Sequence, residues 1–354
     1  MRRYVRNFLL GVASLAGLGL PVGRIGSQQA TVIGRVVVKG SEVPVGYAVV
    51  SARPGAREAF TTGDGRFTFR GLPAGRVAIT AKHVGYAPLD TVVTLGAADT
   101  IRMQLELSLI TIQLPAVYSL AKACVHPGRR DPQVGTELAK LFEQMKENAE
   151  RHRLLSQSYP FEMDVERRIT KAEPSLAARF VAYDTIVRSS VREWRYAPGN
   201  MIGSREYTDG VFVGKWSTLT LPELGDFADE RFLNNHCFDF GGVEVVDGDT
   251  LLRIDFVPAP VVRSPDVSGT IYLDPKTYQL RSTLISLVNL DKRLREMLDG
   301  QSVRAEFKEA IPGVPIVHRV SSMVFPRDDP KNASVEPSTE IHRTLSIRFL
   351  RGKP

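Results

Sequence analysis

Thr61-Thr62-Gly63-Asp64-Gly65-Arg66-Phe67-Thr68-Phe69-Arg70 is the stretch on which the fold assignment turns. Asp64-Gly65 is a hairpin signal, because glycine takes the positive φ that a tight two-residue turn demands. Polar and apolar residues then alternate over 66–70, which predicts a strand with Phe67 and Phe69 on one buried face. Outward from this point the pattern repeats. Short β-rich runs fall at 32–38, 48–52, 59–62, 77–82, 90–95 and 100–105. Gly40-Ser41, Pro54-Gly55, Pro73-Ala74-Gly75 and Gly96-Ala97-Ala98-Asp99 punctuate them. Strands spaced at roughly ten residues and separated by turn residues predict an all-β sandwich.

The chain has 354 residues, 43% hydrophobic and 24% charged, which suits globular cores and excludes a disordered chain. Its length points to about two domains. The net charge of +7 includes Arg2, Arg3, Arg6 and Arg24, and without these four it falls to +3. That balance gives no footprint for a nucleic-acid partner. The same arginines begin an N-terminal address. After Met1-Arg2-Arg3-Tyr4-Val5-Arg6, residues 8–22 are uncharged and apolar, and small residues follow. The run is short for a bilayer span, which needs about 20 apolar residues, so 1–27 reads as a secretory signal peptide. No later segment has the pattern of a membrane helix. The expectation is an exported protein, in the periplasm or associated with an outer membrane.

Several ordered motifs of the first region resemble the carboxypeptidase regulatory-like domain: Gly34-Arg35-Val36, Ala48-Val49-Val50, Thr61 to Phe67, Gly71-Leu72-Pro73-Ala74-Gly75 and Gly85-Tyr86. The resemblance covers 31–108 and implies a seven-stranded, transthyretin-like sandwich, also grouped with carbohydrate-binding-like folds. Gly63 stands where that family usually carries Asp. That weakens the case for calcium binding at the turn. Carbohydrate is a partner the family suggests rather than one that particular residues announce, because Tyr47, Phe60, Phe67, Phe69 and Tyr86, the aromatics of this region, sit mostly in core-like positions. The peptidase chemistry of metallocarboxypeptidases belongs to a different domain with an H-x-x-E zinc pair. No His here has Glu at the fourth position, His236 with Asp239 being the nearest approach. H-E-x-x-H, G-x-S-x-G and G-x-x-x-x-G-K are absent too.

Residues 109–155 read as a linker and an amphipathic helix. Asp131-Pro132 suits a helix start, and Val134, Leu138, Leu141, Phe142, Met145 and Ala149 form an apolar stripe. Glu143, Lys146, Glu147 and Arg151 make up the polar face. From 156 to 350 the pattern is again β, with longer runs. Asp247-Gly248 reads as a hairpin and Asp274-Pro275-Lys276-Thr277 as a second turn. The expected architecture is mainly β: an N-terminal seven-stranded β-sandwich, a connecting amphipathic helix, and a C-terminal antiparallel curved sheet or half-barrel. The segment 266–280 resembles the strand–turn–strand of lipoprotein-carrier half-barrels, which implies an apolar cavity closed by helices and no chemistry.

Cys124 and Cys237 are the only cysteines. In an oxidising compartment the pair reads first as a disulfide; free thiols and a Cys/His metal site with His126 and His236 are the alternatives. The acidic stretch of Asp226, Asp229, Glu230, His236 and Asp239 has no fixed ligand spacing and reads as a solvated loop rather than a cation site. Tyr183, Trp194, Tyr196, Tyr207, Phe212 and Trp216 read as core aromatics or as a ligand-facing surface. No catalytic residue, metal or cofactor is nominated. The expectation is a non-enzymatic envelope protein whose second domain holds an apolar ligand or a protein partner, with carbohydrate, lipid or an envelope protein as the partner classes. The alternatives are a structural scaffold, an accessory of a TonB-dependent receptor system, and an unrecognised hydrolase.

Overall fold

The structure is a computed structural model, and it describes residues 29–112, 127–128, 136–171, 180–191, 194–208, 213–327 and 338–352. Seven strands build the first module: β1 (Ala30–Val38), β2 (Val49–Arg53), β3 (Arg57–Phe60), β4 (Arg66–Leu72), β5 (Gly75–Lys82), β6 (Leu89–Leu95) and β7 (Thr100–Leu107). They form two sheets, β4-β1-β7 and β3-β2-β5-β6, with β1 and β7 parallel. Inward residues from both sheets meet in one aliphatic core, where Val32, Val36, Val50, Leu72, Val77 and Ile79 are fully enclosed. Phe67 and Phe69 share the buried face of β4, their rings 5.7 Å apart.

The Asp64-Gly65 turn departs from expectation. Gly65 does take a positive φ of 79°, but β3 and β4 lie in different sheets, so the turn crosses the sandwich instead of closing a hairpin. The backbone runs so close there that a Cβ on Gly65 would sit 2.4 Å from the Val36 carbonyl oxygen. Thr62 supplies the stabilisation a hairpin ladder would have given, its hydroxyl accepting from the Arg66 amide at 3.1 Å and donating to the Asp64 carboxylate.

The second module is one nine-stranded antiparallel sheet. Its strands are β8 (Phe161–Lys171), β9 (Phe180–Ser189), β12 (His236–Val246), β13 (Asp249–Pro258), β14 (Asp266–Leu273), β15 (Leu280–Val288), β16 (Leu298–Ile311), β17 (Val314–Pro326) and β18 (Ser338–Phe349). They are ordered β12-β13-β14-β15-β16-β17-β18-β8-β9, and the sheet stays open instead of closing into a barrel. A separate hairpin pairs β10 (Ile202–Thr208) with β11 (Val213–Leu219). Asp247 and Gly248 both adopt positive φ between β12 and β13, the geometry of a type I′ turn. Short helices α2 (Glu230–Asn235) and α3 (Lys292–Met297) punctuate the sheet.

Helix α1 (Thr136–Ser158) is the joint between the modules. Leu141, Met145 and Ala149 are buried as the stripe predicts, whereas Asp131, Pro132 and Val134 lie outside the described residues. The polar face differs from expectation: Gln144, Glu147, Asn148 and Arg151 are buried too. Glu143 stays exposed and Lys146 half-buried, so only part of the polar face is covered, and the buried Gln144, Asn148 and Arg151 bond protein. Gly85 of the sandwich donates to Gln144 Oε1 at 2.7 Å. Asn148 donates to the Tyr278 carbonyl at 2.9 Å and accepts from the Leu280 amide at 3.0 Å. Arg151 Nε donates to the Gly313 carbonyl at 2.6 Å, and the guanidinium lies 5.6 Å from the Phe60 ring centroid of the sandwich. A third apolar cluster, Val49 and Phe60 with Leu154, Leu155, Phe161 and Val314, seals the junction.

Candidate functional site

The inner face of the open sheet holds a cavity of about 350 Å³. Alternation along the strands puts Val165, Ile285, Val303 and Phe307 on this face, and the register shift on β17 between Val317 and Arg319 brings both Val317 and Val320 to it. The segment 220–224, continuing into a short 3-10 helix (Leu224–Ala228), covers one side with Leu221, Leu224 and Phe227. Leu224 and Phe227 are 3% and 1% exposed and join the main core, so the cover is packed in place.

The polar residues of the cavity are largely engaged with protein. Gln301 donates to Ser322 Oγ at 2.9 Å, and Thr344 Oγ1 donates to the Val317 carbonyl at 2.9 Å. His342 Nε2 lies 2.7 Å from Glu340 Oε1. That hydrogen bond, with the charges of His342, Arg167 and Arg188, holds the Glu340 carboxyl below the usual carboxylate range against the upward push of burial. His342 Nδ1 is buried and has no hydrogen-bond partner among the described residues. The lining is thus an apolar floor with a polar edge, the chemistry of a pocket that holds an apolar body and orients one end.

A second polar group went unseen in the sequence. Tyr196 Oη donates to Asp266 Oδ2 at 2.6 Å, and His236 Nε2 lies 3.3 Å from Asp266 Oδ1. All three residues are fully enclosed. The other histidine nitrogen faces the Phe232 carbonyl at 2.9 Å, and its ring stacks on Phe232 at 4.0 Å. Burial and the Asp266 carboxylate push the Tyr196 phenol far up. A Tyr–Asp–His constellation reads as acid–base machinery only where substrate reaches it. Here aromatic rings enclose it, and it ties α2 to β12 and β14.

The acids of the 226–239 stretch disperse. Asp226 accepts from the Glu223 amide, Asp229 caps α2 by accepting from the Arg231 amide, Glu230 lies 3.7 Å from Lys146, and Asp239 accepts from the Phe240 amide. His236 is not on the surface beside Asp239 but points inward to Asp266. No group of three metal-ligating side chains gathers among the described residues. Of the aromatics, Tyr196 is core and Tyr183 is 64% exposed, while Phe212 and the side chains of Tyr207 and Trp216 lie outside the described residues. Cys124 is also outside them; Cys237 is the second residue of β12, and no described cysteine is free. No described helix is long and apolar enough to cross a membrane.

No curated protein matches the chain. Among the solved structures that resemble it, three do so at low identity and low TM-score. The first is a domain assigned to outer membrane lipoprotein sorting, from Vibrio parahaemolyticus, at 10% identity and TM-score 0.31, covering 60% of this chain and 95% of that one. A DUF1329 family protein from Desulfovibrio piger gives 12%, 0.31, 60% and 95% for the same measures. The minor pilin GBS52 of Streptococcus agalactiae gives 16%, 0.21, 25% and 48%. The family profile of the carboxypeptidase regulatory-like domain matches residues 31–108, the stretch that holds all seven strands of the sandwich. Residues 31–108 are a carboxypeptidase regulatory-like domain.

Proposed function

We propose that the protein is an exported, non-enzymatic binding protein of the cell envelope, in which the sandwich is an interaction module and the half-barrel holds the apolar part of a ligand. The observation that carries this reading is the cavity on the inner face of the open sheet, floored by Val165, Ile285, Val303 and Phe307. Its volume lies at the lower end of the range for small-molecule sites, roughly 300–1,000 Å³. The enclosure of the Tyr196–Asp266–His236 group favours binding over catalysis, since that group has no exposed surface. The basic, then apolar, N-terminal segment supports export.

The Cys124–Cys237 disulfide belongs to the same proposal. Gly128 is four positions beyond Cys124, and its amide donates to the His236 carbonyl at 3.1 Å, bringing the linker to the residue beside Cys237.

Two measurements test the reading. Native mass spectrometry of protein purified from its own host should show a bound lipid-sized mass. Delipidated protein should take up a polarity-sensitive fluorophore, and Ala305→Trp, which fills the cavity from β16, should abolish uptake. Absence of both the mass and the uptake would overturn the binding function. Thiol alkylation before and after reduction tests the disulfide, two modified cysteines without reductant being the result against it.

A further inference from the structure

A larger, open groove of about 820 Å³ lies at one end of the half-barrel, outside the cavity just described. Its floor includes Val262 and Leu287, both buried. Its rim carries Arg263, Arg295 and Arg327, all exposed. Asp299 is the one acid in the lining, and its carboxylate is 4.0 Å from Arg327 Nε, too far for a strong hydrogen bond. The neighbouring Asp291 is occupied in capping α3, accepting from the Leu294 amide at 2.8 Å. Arg327 is held beside Arg295 by donating to its carbonyl at 2.6 Å. Three guanidinium groups thus face one carboxylate over an apolar floor.

The groove and the cavity share strands. On β15, Ile285 lines the cavity and Leu287 the groove. Two residues of strand separate them by about 7 Å and keep both on one face. On β16, Val303 lines the cavity, and Leu298, the first residue of the strand, lines the groove. The two hollows therefore follow one another along the same strands. The cavity suits an anion less well than the groove, since Glu223 and Glu340 line it against a single arginine, Arg188, with His342 bonded to Glu340. The positive charge is concentrated at the groove.

We infer that the Arg263–Arg295–Arg327 groove receives the anionic group of a long-chain amphiphile whose apolar body lies toward the cavity. Guanidinium forks suit carboxylate and phosphate alike, because both present paired oxygens to parallel N–H donors. The inference rests on the binding function proposed above and adds the class of ligand.

The test compares palmitate, hexadecyl phosphate and the uncharged glyceride monopalmitin on the full chain by titration calorimetry. The comparison is repeated on the combined variant Arg263→Gln, Arg295→Gln, Arg327→Gln. All three side chains are exposed, so the variant is expected to fold, and unchanged monopalmitin binding verifies it. The expected result is a preference for at least one anionic probe of about tenfold or more, shrinking as salt rises and lost in the variant. The two anionic probes separate a carboxylate ligand from a phosphate one. Equal binding of all three probes, or a preference that survives in the variant, overturns the inference and leaves the cavity reading standing. Failure of all three to bind overturns both.

Discussion

The two modules solve the problem of an interior differently. In the sandwich the enclosed residues are almost all aliphatic, and Thr61 is the one buried polar side chain among its described residues. The half-barrel and its helix bury Asn148, Arg151, His236, Asp255, Asp266 and others. An aliphatic core is held by non-directional burial and tolerates local repacking. A core with buried polar groups is held by specific bonds and fails when one partner is lost. The larger module accordingly spends part of its stability on fixing the positions of its helices and covering loops around the cavity.

The sharpest way to break that contrast is to delete one group from each interior. Asp266→Ala removes the acceptor of Tyr196 and leaves its hydroxyl enclosed, while His236 keeps the Phe232 and Val267 carbonyls. The expected loss is about 3 kcal/mol, from the enclosed phenol left without its charged acceptor. Ile79→Ala in the sandwich leaves a cavity and nothing unpaired, and its cost falls at about 2–4 kcal/mol. The two should also differ under repacking. Ile79→Leu is expected to recover most of its loss, whereas Asp266→Leu is not, since Tyr196 and His236 would face an aliphatic group. Urea unfolding of the four variants decides this, and equal recovery at both sites would erase the distinction.

The same difference sets what was legible in the sequence. The seven strands of the sandwich fall where alternation puts them, because every inward position is apolar and every connection carries turn residues. What alternation could not reveal was that β3 and β4 part company at Asp64-Gly65, since sheet membership depends on partners distant in the chain. In the second module the β pattern read over 156–350 holds, with Asp247-Gly248 joining β12 to β13 and Asp274-Pro275-Lys276-Thr277 lying between β14 and β15. His236 and Asp239 looked like neighbours of one acidic surface. Consecutive strand positions face opposite sides, and only the fold shows that His236 turns inward to Asp266. Helix α1 misled for a related reason. Of its charged face Glu143 stays exposed, but Glu147 and Arg151 are buried, and nothing local reveals which part the two modules will cover.

That covered face yields a sharper comparison, now between groups rather than modules. Burial raises the Glu147 carboxyl to about 7, against the pull of Arg151 and Lys82. Burial, aided by the Arg151 charge, lowers the His83 imidazole to about 3. Burial also lowers His152. An acid raised on folding holds extra protons in the native state, so its contribution is lost as pH rises from 5 to 7. An imidazole lowered on folding takes up its proton in the unfolded chain first, so its contribution is lost as pH falls through the same window. The two trends oppose each other. Glu147→Gln should expose the histidine trend, with stability rising by about 2 kcal/mol between pH 5 and 7. His83→Gln should weaken that rise or reverse it. Chemical denaturation across the window reads both, and parallel curves for the two variants would remove the joint from the pH response.

The smallest expected difference lies in two turns that look alike in sequence, Asp64-Gly65 and Asp247-Gly248. Both glycines have positive φ, 79° and 91°, so alanine at either carries the left-handed strain of about 1 kcal/mol. At Gly248 nothing lies within 4 Å of the added Cβ, and strain is the whole cost. At Gly65 the Cβ meets the Val36 carbonyl oxygen at 2.4 Å, and this backbone atom also accepts the Val45 amide. It can withdraw only by disturbing that bond, which raises the expected cost to about 2 kcal/mol. Thermal unfolding of Gly65→Ala and Gly248→Ala should therefore rank them in that order. A reversed order would mean that the crossing turn of the sandwich relaxes more readily than the open hairpin, contrary to the close backbone approach between β1 and the turn.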